Sequence, residues 1–340
     1  MERPEPGSIL RRTGTADGRL AFIDSLDGDF LPEMRRRVRE GMLLPQKVIP
    51  CTYLYDAVGS DLFDRICHLP EYYLTRTELA ILDEHAGRIM EFFRSEGGSL
   101  VDLGSGSDLK IRKLLDAAPP GAVGRIRYIP VDISPSGLMR TAWDLLDDFD
   151  GLEVLGVIGD FARCLGCLPQ GRKLICFFGS TIGNFGDPQA VELLAGVASF
   201  MSPEDALLVG MDMLKPAGVI EAAYNDRAGI TARFNLNILR HVNERLGSDF
   251  CLADFRHRAF FDHELSRIEM HLEAIRSVTA DIPDIGLKVR LARGETIRTE
   301  ISRKFARPKA RKLFSLAGLE VVQWYTDARG WFSLVELRLA

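Results

Sequence analysis

The 340-residue sequence has only six cysteines, and they follow no regular spacing. Cys164 and Cys167 form a C-x-x-C pair, but no second such pair or paired histidine motif could complete a zinc site. Scattered cysteines argue against a disulfide framework and indicate reduced thiols in a cytoplasmic protein. We therefore expect no bound metal. The pair is interpreted as two small buried side chains, with a redox pair as the alternative.

Long apolar runs and a strong charge imbalance are also absent. No run reaches the ~18 apolar residues of a membrane helix, and the N-terminal stretch MERPEPGSILRRTG has no apolar core of a secretory signal. The formal net charge of -5 provides no electrostatic case for nucleic acid. We expect a cytoplasmic monomer with no nucleic-acid or membrane partner.

What the sequence does contain, between residues 77 and 214, is a regular alternation of two patterns. Short apolar runs such as RIRYIPVD and DALLVGMD alternate with amphipathic stretches such as LAILDEHAGRIMEFF. The runs are typical of buried parallel strands, and the 3.6-residue period is typical of helices. The alternation predicts a doubly wound α/β sheet of Rossmann-like type. The last segment, LEVVQWYTDARGWFSLVELRL, predicts an antiparallel hairpin at one edge of that sheet.

The pattern changes after Lys215-Pro216. A helix is followed there by strands that alternate apolar and polar residues, RIEMHLEAI and LKVRLARG. Residues 77–214 and 302–340 are therefore predicted to form the cofactor-binding domain. Residues 21–76 and 215–301 are predicted to form an α+β substrate-binding domain built from two segments. Residues 1–20 are rich in Pro, Gly and Arg and are expected to be a disordered extension.

A short stretch, EYYLTRTE at residues 71–78, joins the two predicted domains. Thr75 and Glu78 have the T-x-x-E spacing of a capping box, in which each side chain bonds the backbone N–H of the other. The spacing predicts that the long helix beginning near LAIL is capped at Thr75.

Glycines and acids stand at the predicted carboxyl ends of three strands. SLVDLGSGS places Gly104 directly after a buried strand and before a helix, where backbone N–H groups can approach a ligand. Leu109 stands where a dinucleotide fingerprint would have its third glycine. Asp132 ends the next strand and suits ribose hydroxyls, and Asp160 with Phe161 ends a third and suits adenine. A tight turn or a helix N-cap would explain any one of these features. All three in order favour the adenosine site of a class I S-adenosylmethionine (SAM) methyltransferase.

Several longer motifs follow one another along the chain: YLYDAVGSDLF, LPEYYLTRTE, GSTIGNF, AGITARFNLN, RIEM and TEISRKF. Together they resemble the histidine-specific Nα-methyltransferases, the EgtD family of ergothioneine biosynthesis, from about Gln46 to the C-terminus. The resemblance implies a SAM-dependent enzyme that methylates the α-amine of L-histidine three times. Its products would be Nα-trimethylhistidine (hercynine) and S-adenosylhomocysteine. The resemblance also implies a Rossmann-like methyltransferase domain and a substrate domain made of two chain segments.

Matching positions imply roles for individual residues. The implied cofactor contacts are Tyr55, Gly104, Lys110, Asp132, Asp160 and Phe161. The implied substrate contacts are Tyr72, Asn184 and Tyr224 for the amine and carboxylate, Glu300 and Ser302 for the imidazole, and Met270, Phe63 and Gly179 around the pocket. Tyr72 and Asn184 are also the implied catalytic residues, because they would orient the reacting nitrogen.

The sequence departs from the family pattern at two places. Residues 110–112 read K-I-R where the family has K-T-R, and residues 224–226 read Y-N-D where it has Y-D-D. Neither departure replaces an implied site residue. Two other functions remain open: a methyltransferase for another amino acid or an aromatic amine, and an inactive SAM-binding regulator. The pair Glu300 and Ser302 argues against the first, since an indole or a phenol would not need it. The intact set of site residues argues against the second.

Overall fold

The structure is a computed structural model that describes residues 9–11, 18–25, 30–161 and 164–340. The chain folds into two compact units. Unit 1 comprises Met1–Asp27, Leu74–Met213 and Phe305–Ala340, and unit 2 comprises Gly28–Tyr73 and Leu214–Lys304. Three of the predicted boundaries, at residues 77, 215 and 302, lie within three residues of the boundaries between these units.

Strands and helices account for most of the described residues. The strands are β1 (Ile9–Arg11), β2 (Leu20–Asp24), β3 (Lys47–Val48), β4 (Gly98–Leu103), β5 (Ile126–Asp132), β6 (Glu153–Ile158), β7 (Lys173–Phe177), β8 (Ala206–Asp212), β9 (Phe255–Asp262), β10 (Arg267–Ala274), β11 (Val278–Ile282), β12 (Leu287–Leu291), β13 (Thr296–Arg303), β14 (Leu319–Thr326) and β15 (Phe332–Leu339). The α-helices are α1 (Phe30–Leu43), α2 (Ala57–Cys67), α3 (Tyr73–Met90), α4 (Leu109–Asp116), α5 (Pro135–Asp148), α6 (Asp187–Ser199), α7 (Ala217–Tyr224), α8 (Ile230–Leu246) and α9 (Arg307–Leu316). In the described part of the chain, no helix has a stretch suited to crossing a bilayer.

Unit 1 is built on a nine-stranded sheet with the order β1-β2-β6-β5-β4-β7-β8-β15-β14. The six strands from β2 to β8 in this order run parallel to one another. Strands β7 and β8 are buried along their whole length, which explains why their sequences are continuous apolar runs. The hairpin β14–β15 joins β8 in antiparallel orientation, so the predicted edge hairpin and the α/β class are both confirmed.

The chain order in this sheet reverses at β4. From β4 the chain continues outward to β5 and β6, then returns to β7 on the other side of β4. A reversal of this kind leaves a crevice outside the carboxyl ends of the two central strands, and open α/β sheets bind ligands there.

The predicted assignment of residues 21–25 to the substrate-binding domain is wrong, because β2 belongs to the sheet of unit 1. Its sequence LAFID pairs in parallel with β6, and Phe22 lies opposite Gly156. A Cβ atom at Gly156 would come within 2.4 Å of the Phe22 ring. The missing side chain in β6 therefore makes room for a ring from β2. This complementarity joins two segments far apart in sequence, so neither segment reveals it alone.

The predicted disorder of the N-terminal extension is wrong at Ile9–Arg11, which pairs antiparallel with β2. For residues 1–8 and 12–17 the prediction lies outside the described residues.

Unit 2 contains a four-stranded sheet, β3-β13-β10-β9, and a separate two-stranded sheet, β11-β12. The pairing of β10 with β13 is interrupted by a β-bulge, because Met270 pairs with Glu300 whereas His271 pairs with Arg298. Thr299 is the extra residue of this bulge. Its hydroxyl lies 2.5 Å from Asn235 Oδ1 and 3.1 Å from Met270 O. These contacts hold the bulge against α8.

The predicted capping box is wrong. Helix α3 begins at Tyr73, so Thr75 and Glu78 both lie inside it. The Glu78 carboxylate turns away from the helix start and accepts hydrogen bonds from the backbone N–H of Gly179. The Glu78 carboxylate therefore binds Gly179 of a distant segment and does not cap the helix.

Candidate active site

The glycine loop after β4 lies at the point where the sheet of unit 1 reverses its order. Gly104 has a φ of 74° and Gly106 a φ of 45°, backbone conformations that favour glycine. The Gly104 amide donates to Val131 O at 2.8 Å, which ties the loop to β5. A Cβ on Gly104 would have Phe161 as its near neighbour, at 3.8 Å from Cε1. The φ angle, and not crowding, therefore calls for glycine here, and the backbone of the loop is left open to a ligand.

Asp132, at the end of β5, faces this loop. Its Oδ2 accepts from Gly106 N at 3.2 Å and its Oδ1 accepts from Ser134 N at 2.9 Å. Burial raises the pKa of the carboxyl, and these two N–H donors oppose the rise. A carboxylate oxygen has more than one lone pair. Asp132 is thus held in one orientation and can still accept a hydrogen bond from a ligand hydroxyl.

Asp160 and Phe161 follow β6 in the same unit. The Asp160 carbonyl accepts from Cys164 N at 3.0 Å, which closes the turn. The Phe161 ring packs edge-on against Phe177, with 5.3 Å between centroids and an interplanar angle of 60°. Both residues are partly buried. They therefore offer a carboxylate and an aromatic ring, and such a pair suits a planar base with an amino group.

A buried ion pair connects Lys110 to the end of β7. Glu78 is completely buried, and its Oε2 lies 2.7 Å from Lys110 Nζ. Both Glu78 oxygens also accept from Gly179 N at 3.0 Å. Gly179 has a φ of 73°. The resemblance assigned Lys110 to the cofactor and Gly179 to the substrate, and Glu78 now links the two. Sequence reasoning missed this role of Glu78.

Five aromatic side chains of unit 2 form a continuous cluster. The ring centroids of Tyr55 and Phe63 are 5.4 Å apart, those of Phe63 and Tyr72 are 6.2 Å apart, and those of Tyr72 and Tyr224 are 6.3 Å apart. Phe234 of α8 lies 5.5 Å from Tyr55 and 5.9 Å from Phe63. The structure thus groups Tyr55, a predicted cofactor contact, with the residues predicted for the substrate.

The two tyrosine hydroxyls in the middle of this aromatic cluster stay protonated. Burial raises the pKa of Tyr55 and of Tyr72 well above the ordinary tyrosine value. The negative charge of Glu300 and the neighbouring Tyr224 contribute to both rises. Both hydroxyls are therefore neutral groups that can donate or accept a hydrogen bond, and neither can act as a tyrosinate base at neutral pH.

Glu300 shares one face of unit 2's sheet with Met270. The two residues pair directly across β13 and β10, and directly paired residues project to the same side. Ser302, two residues further along β13, lies on this face as well. Because of the β-bulge, Arg298 projects to the opposite face, where it lies 3.7 Å from Glu269. An unbroken strand would have placed Arg298 beside Glu300. The bulge therefore keeps a guanidinium away from the Glu300 carboxylate.

The Glu300 carboxyl titrates near neutrality. The residue is half-buried, and it interacts electrostatically with Cys51, Tyr55 and Tyr72. Desolvation raises the pKa of the carboxyl to about 7, and the positive charge of Lys304 partly opposes this rise. Near neutral pH, Glu300 therefore holds its proton more readily than an exposed glutamate does, and as a carboxylate it is an acceptor.

Lys304 is a buried cation that sequence reasoning passed over. It is 2% exposed, and its Nζ donates to Ser302 Oγ at 2.9 Å and to Tyr224 OH at 3.2 Å. It therefore connects the polar pair of β13 to the aromatic cluster. The sequence could have predicted this position, because alternate residues of a strand share a face and Lys304 is two residues after Ser302.

A model of the histidine-specific, SAM-dependent methyltransferases matches residues 34–339 of the chain. The chain belongs to this family. The histidine N-alpha-methyltransferase of Mycolicibacterium smegmatis is 41% identical over 318 residues, which cover 93% of this chain and 98% of that protein. That of Mycobacterium tuberculosis is 38% identical, over 88% of this chain and 93% of its own. The ergothioneine biosynthesis protein 1 of Neurospora crassa is 34% identical over 86% of this chain, but the match covers only 33% of the fungal protein.

The structure shows the surroundings of both residues that depart from the family pattern. Ile111, in K-I-R, is completely buried on α4. Asn225, in Y-N-D, donates through Nδ2 to Glu221 O at 2.9 Å and to Ala259 O at 3.1 Å, which ties the end of α7 to β9. Both residues thus serve packing or local structure, and neither displaces a predicted site residue of this methyltransferase.

The predicted site residues of this methyltransferase divide between its two units. Unit 1 carries Gly104, Lys110, Asp132, Asp160, Phe161, Gly179 and Asn184, the last in a 3-10 turn after β7. Unit 2 carries Tyr55, Phe63, Tyr72, Tyr224, Met270, Glu300 and Ser302. The features of unit 1 fit SAM, the methyl donor of this family, since the open loop at Gly104, the oriented Asp132 carboxylate and the Phe161 ring match an adenosine.

Proposed function

We propose that this methyltransferase transfers three methyl groups in succession to the α-amine of L-histidine, forming Nα,Nα,Nα-trimethylhistidine (hercynine). One S-adenosylhomocysteine would be released per transfer. The observation that carries the proposal is the pair Glu300 and Ser302 on one sheet face of unit 2, next to a cluster of aromatic rings. The names of the mycobacterial relatives, at 41% and 38% identity, support the same substrate and the same nitrogen.

The polar pair suits an imidazole better than it suits other side chains. An ionised carboxylate accepts an N–H, and a serine hydroxyl can serve the second ring nitrogen. A neutral imidazole offers one N–H and one lone pair, so it satisfies both groups at once. A phenyl or alkyl side chain would leave both unpaired, and leaving a partly buried charged group unpaired is costly. We therefore expect the imidazole to be bound at Glu300 and Ser302.

Residues of unit 1 would hold the methyl donor. When bound, SAM supplies a methyl group on a cationic sulfur, which an amine lone pair displaces in line. Asp132 would accept from the ribose hydroxyls, and Asp160 from the adenine amino group beside the Phe161 ring. The Gly104 loop would approach the ligand with its backbone. Lys110 is held by Glu78 and would act at the edge of this site.

The reacting nitrogen must be presented as a neutral amine. No strong general base lies among the residues assigned to it, because the hydroxyls of Tyr55 and Tyr72 stay protonated. Tyr72 and the Asn184 amide would orient the nitrogen, and its protons would leave through water. The reaction would end after the third methyl, because a quaternary nitrogen has no lone pair left.

Replacing Tyr72 by phenylalanine is expected to weaken histidine binding more than it slows methyl transfer. The hydroxyl holds the amino acid and does not remove a proton, so we expect KM for histidine to rise about tenfold while kcat changes less than about threefold. Steady-state kinetics at saturating SAM measure both constants. Tyr73→Phe is the matched control, because the Tyr73 hydroxyl accepts from Lys215 and lies outside the predicted site. A large fall in kcat with unchanged KM for Tyr72→Phe would overturn the assignment.

The proposed function is tested by identifying the product. The protein is incubated with SAM and L-histidine, and mass spectrometry follows mass gains of one, two and three methyl groups over time. Fragmentation should place all three methyls on the α-nitrogen, with about three S-adenosylhomocysteine molecules per trimethylated product. A methyl on the imidazole ring, or a reaction that stops after one transfer under excess SAM, would contradict the proposal.

A further inference from the structure

Lys304 is a buried cation beside the polar pair of β13 in unit 2. Lys304 is 2% exposed, and its backbone N–H donates to Ser266 O at 2.8 Å at the end of β13. Its Nζ lies 5.0 Å from the centroid of the Tyr224 ring. Burying an ammonium is costly unless it is paired and hydrogen-bonded. The hydroxyls of Ser302 and Tyr224 are two of the groups that compensate this cost.

The contacts of Lys304 determine which way two hydroxyl protons can point. An ammonium has donors and no acceptor. Ser302 Oγ and Tyr224 OH, at 2.9 and 3.2 Å from Nζ, must therefore accept from Lys304 through a lone pair. Each hydroxyl proton then points away from Lys304, and the proton of Ser302 can be donated to a ligand.

This arrangement gives the sheet face an ordered pair of hydrogen-bonding groups. Glu300, as a carboxylate, can only accept, whereas Ser302 next to Lys304 is directed to donate. An azole ring with one N–H and one unprotonated nitrogen matches that order. A protonated imidazolium, which has two N–H groups and no lone pair, would meet the Ser302 donor with a second donor. The face should therefore select the neutral imidazole.

We propose that Lys304 is a positioning residue that makes Ser302 a hydrogen-bond donor toward the bound amino acid, so that unit 2 selects a neutral azole ring. The inference rests on the proposed function, because it assumes that the imidazole is bound at Glu300 and Ser302. Lys304 acts through these neighbours and need not touch the substrate itself.

A second consequence concerns the acceptor of the pair. The charged and titratable groups around Glu300 are Lys304 and the side chains of Cys51, Tyr55 and Tyr72. Among these, Lys304 lowers the pKa of Glu300 and is the one cation. Removing the positive charge should let this pKa rise, so that ionisation of Glu300 requires a higher pH. The pH dependence of ligand binding then reports on Lys304 through Glu300.

The most informative probe is Nα-trimethylhistidine, because its quaternary nitrogen does not titrate. Its dissociation constant is measured by calorimetry between pH 5.5 and 9 on protein saturated with S-adenosylhomocysteine. For the wild type, affinity should fall below about pH 7, where Glu300 and then the imidazole of the probe become protonated. For Lys304→Met the same fall should begin about one pH unit higher, and at pH 7.5 binding should be about tenfold to a hundredfold weaker.

Three further variants separate this role from a general loss of structure. Lys304→Gln retains an N–H donor without the charge, so it should show the same pH shift with a smaller loss of affinity. It also serves if Lys304→Met does not fold. Ser302→Ala should cost less affinity in the Lys304→Met background than in the wild type, because the two residues act together. Lys215→Met is the matched control, since Lys215 Nζ donates to Tyr73 OH at 2.9 Å in the same unit.

The outcomes are distinct. The inference holds if both Lys304 variants bind S-adenosylhomocysteine normally and shift the pH dependence upward, while Lys215→Met does neither. It is overturned if a folded Lys304 variant keeps the wild-type pH dependence and affinity, or if the effects of Lys304→Met and Ser302→Ala simply add. If the wild type does not methylate histidine at all, the proposed function fails first, and that failure is visible without any variant.

Discussion

Replacing Glu300 by alanine is expected to lower kcat/KM for histidine about 1000-fold. The imidazole N–H would lose its charged acceptor, and the hydroxyl of Ser302 alone cannot hold the ring. The affinity for SAM should stay within about twofold, because the residues assigned to the donor lie in unit 1, apart from Tyr55. Initial rates at saturating SAM, together with calorimetric titration of S-adenosylhomocysteine, measure the two effects. Equal losses in histidine use and cofactor binding would remove Glu300 from the recognition of the ring.

The isosteric variant Glu300→Gln is expected to make the protein more stable at alkaline pH. The folded-state pKa of about 7 lies above the ordinary value of 4.5. Between pH 4.5 and 7, Glu300 is therefore protonated in the folded protein and ionised in the unfolded chain. The stability of the wild type therefore falls as the pH rises from about 4.5 to 7. Glu300→Gln removes this loss and should be more stable than the wild type at pH 8, by up to about 3 kcal/mol, and equally stable at pH 4.5. Urea unfolding at the two pH values tests this. If Glu300→Gln were less stable than the wild type at pH 8, the ionised Glu300 side chain would not destabilise the folded protein.

Replacing Glu78 by alanine is expected to lower the free energy of unfolding by about 3–5 kcal/mol. Glu78 is completely buried, and the substitution would leave both Lys110 and the Gly179 N–H without their shared acceptor. Breaking a buried ion pair on one side is costly because the remaining charge is uncompensated. Glu78→Gln keeps an oxygen for Gly179 and should lose less. Denaturant titration of each variant without ligands measures the difference.

The matched control for this prediction lies on the same helix. Glu84 is 72% exposed and is 3.7 Å from His85, so Glu84→Ala should change stability by less than about 0.5 kcal/mol. If Glu78→Ala were no more destabilising than Glu84→Ala, Glu78 would not hold α3 to Lys110 of α4 and to the loop after β7.

The parts of the fold that sequence reasoning predicted are those with a local periodic signal. Strands β4 to β8 are largely buried apolar runs. Their alternation with amphipathic helices is visible in the sequence of residues 77–214. The terminal hairpin has two such windows joined by DARG. In the site, Gly104, Asp132 and Asp160 could be named because each follows a strand and has a side chain or backbone suited to its place.

The features that sequence reasoning missed depend on pairing between distant segments. The place of β2 depends on Gly156, which makes room for Phe22. The role of Glu78 depends on Gly179, which lies 101 positions further along the chain. The T-x-x-E spacing predicted a cap at Thr75. Glu78 instead pairs with Lys110, and the helix begins at Tyr73.

The β-bulge of unit 2 illustrates the same limit within the site. In an unbroken strand Arg298, Glu300, Ser302 and Lys304 would all share one face. The register shift next to Met270 moves Arg298 to the other face and leaves Lys304 as the cation on the side of Glu300. The spacing of two residues could predict that Glu300 and Ser302 lie together, but only the partner strand shows where the face changes.

The central claim is that unit 2 recognises the imidazole ring of histidine. The most direct test is a competition in which SAM is added to the protein with all twenty amino acids at equal concentration, and methylated products are quantified by mass spectrometry. The account predicts that methylated histidine is the dominant product and that its yield collapses in Glu300→Ala, while S-adenosylhomocysteine still binds. Preferential methylation of a different amino acid by the wild type, or an undiminished preference for histidine in Glu300→Ala, would contradict it.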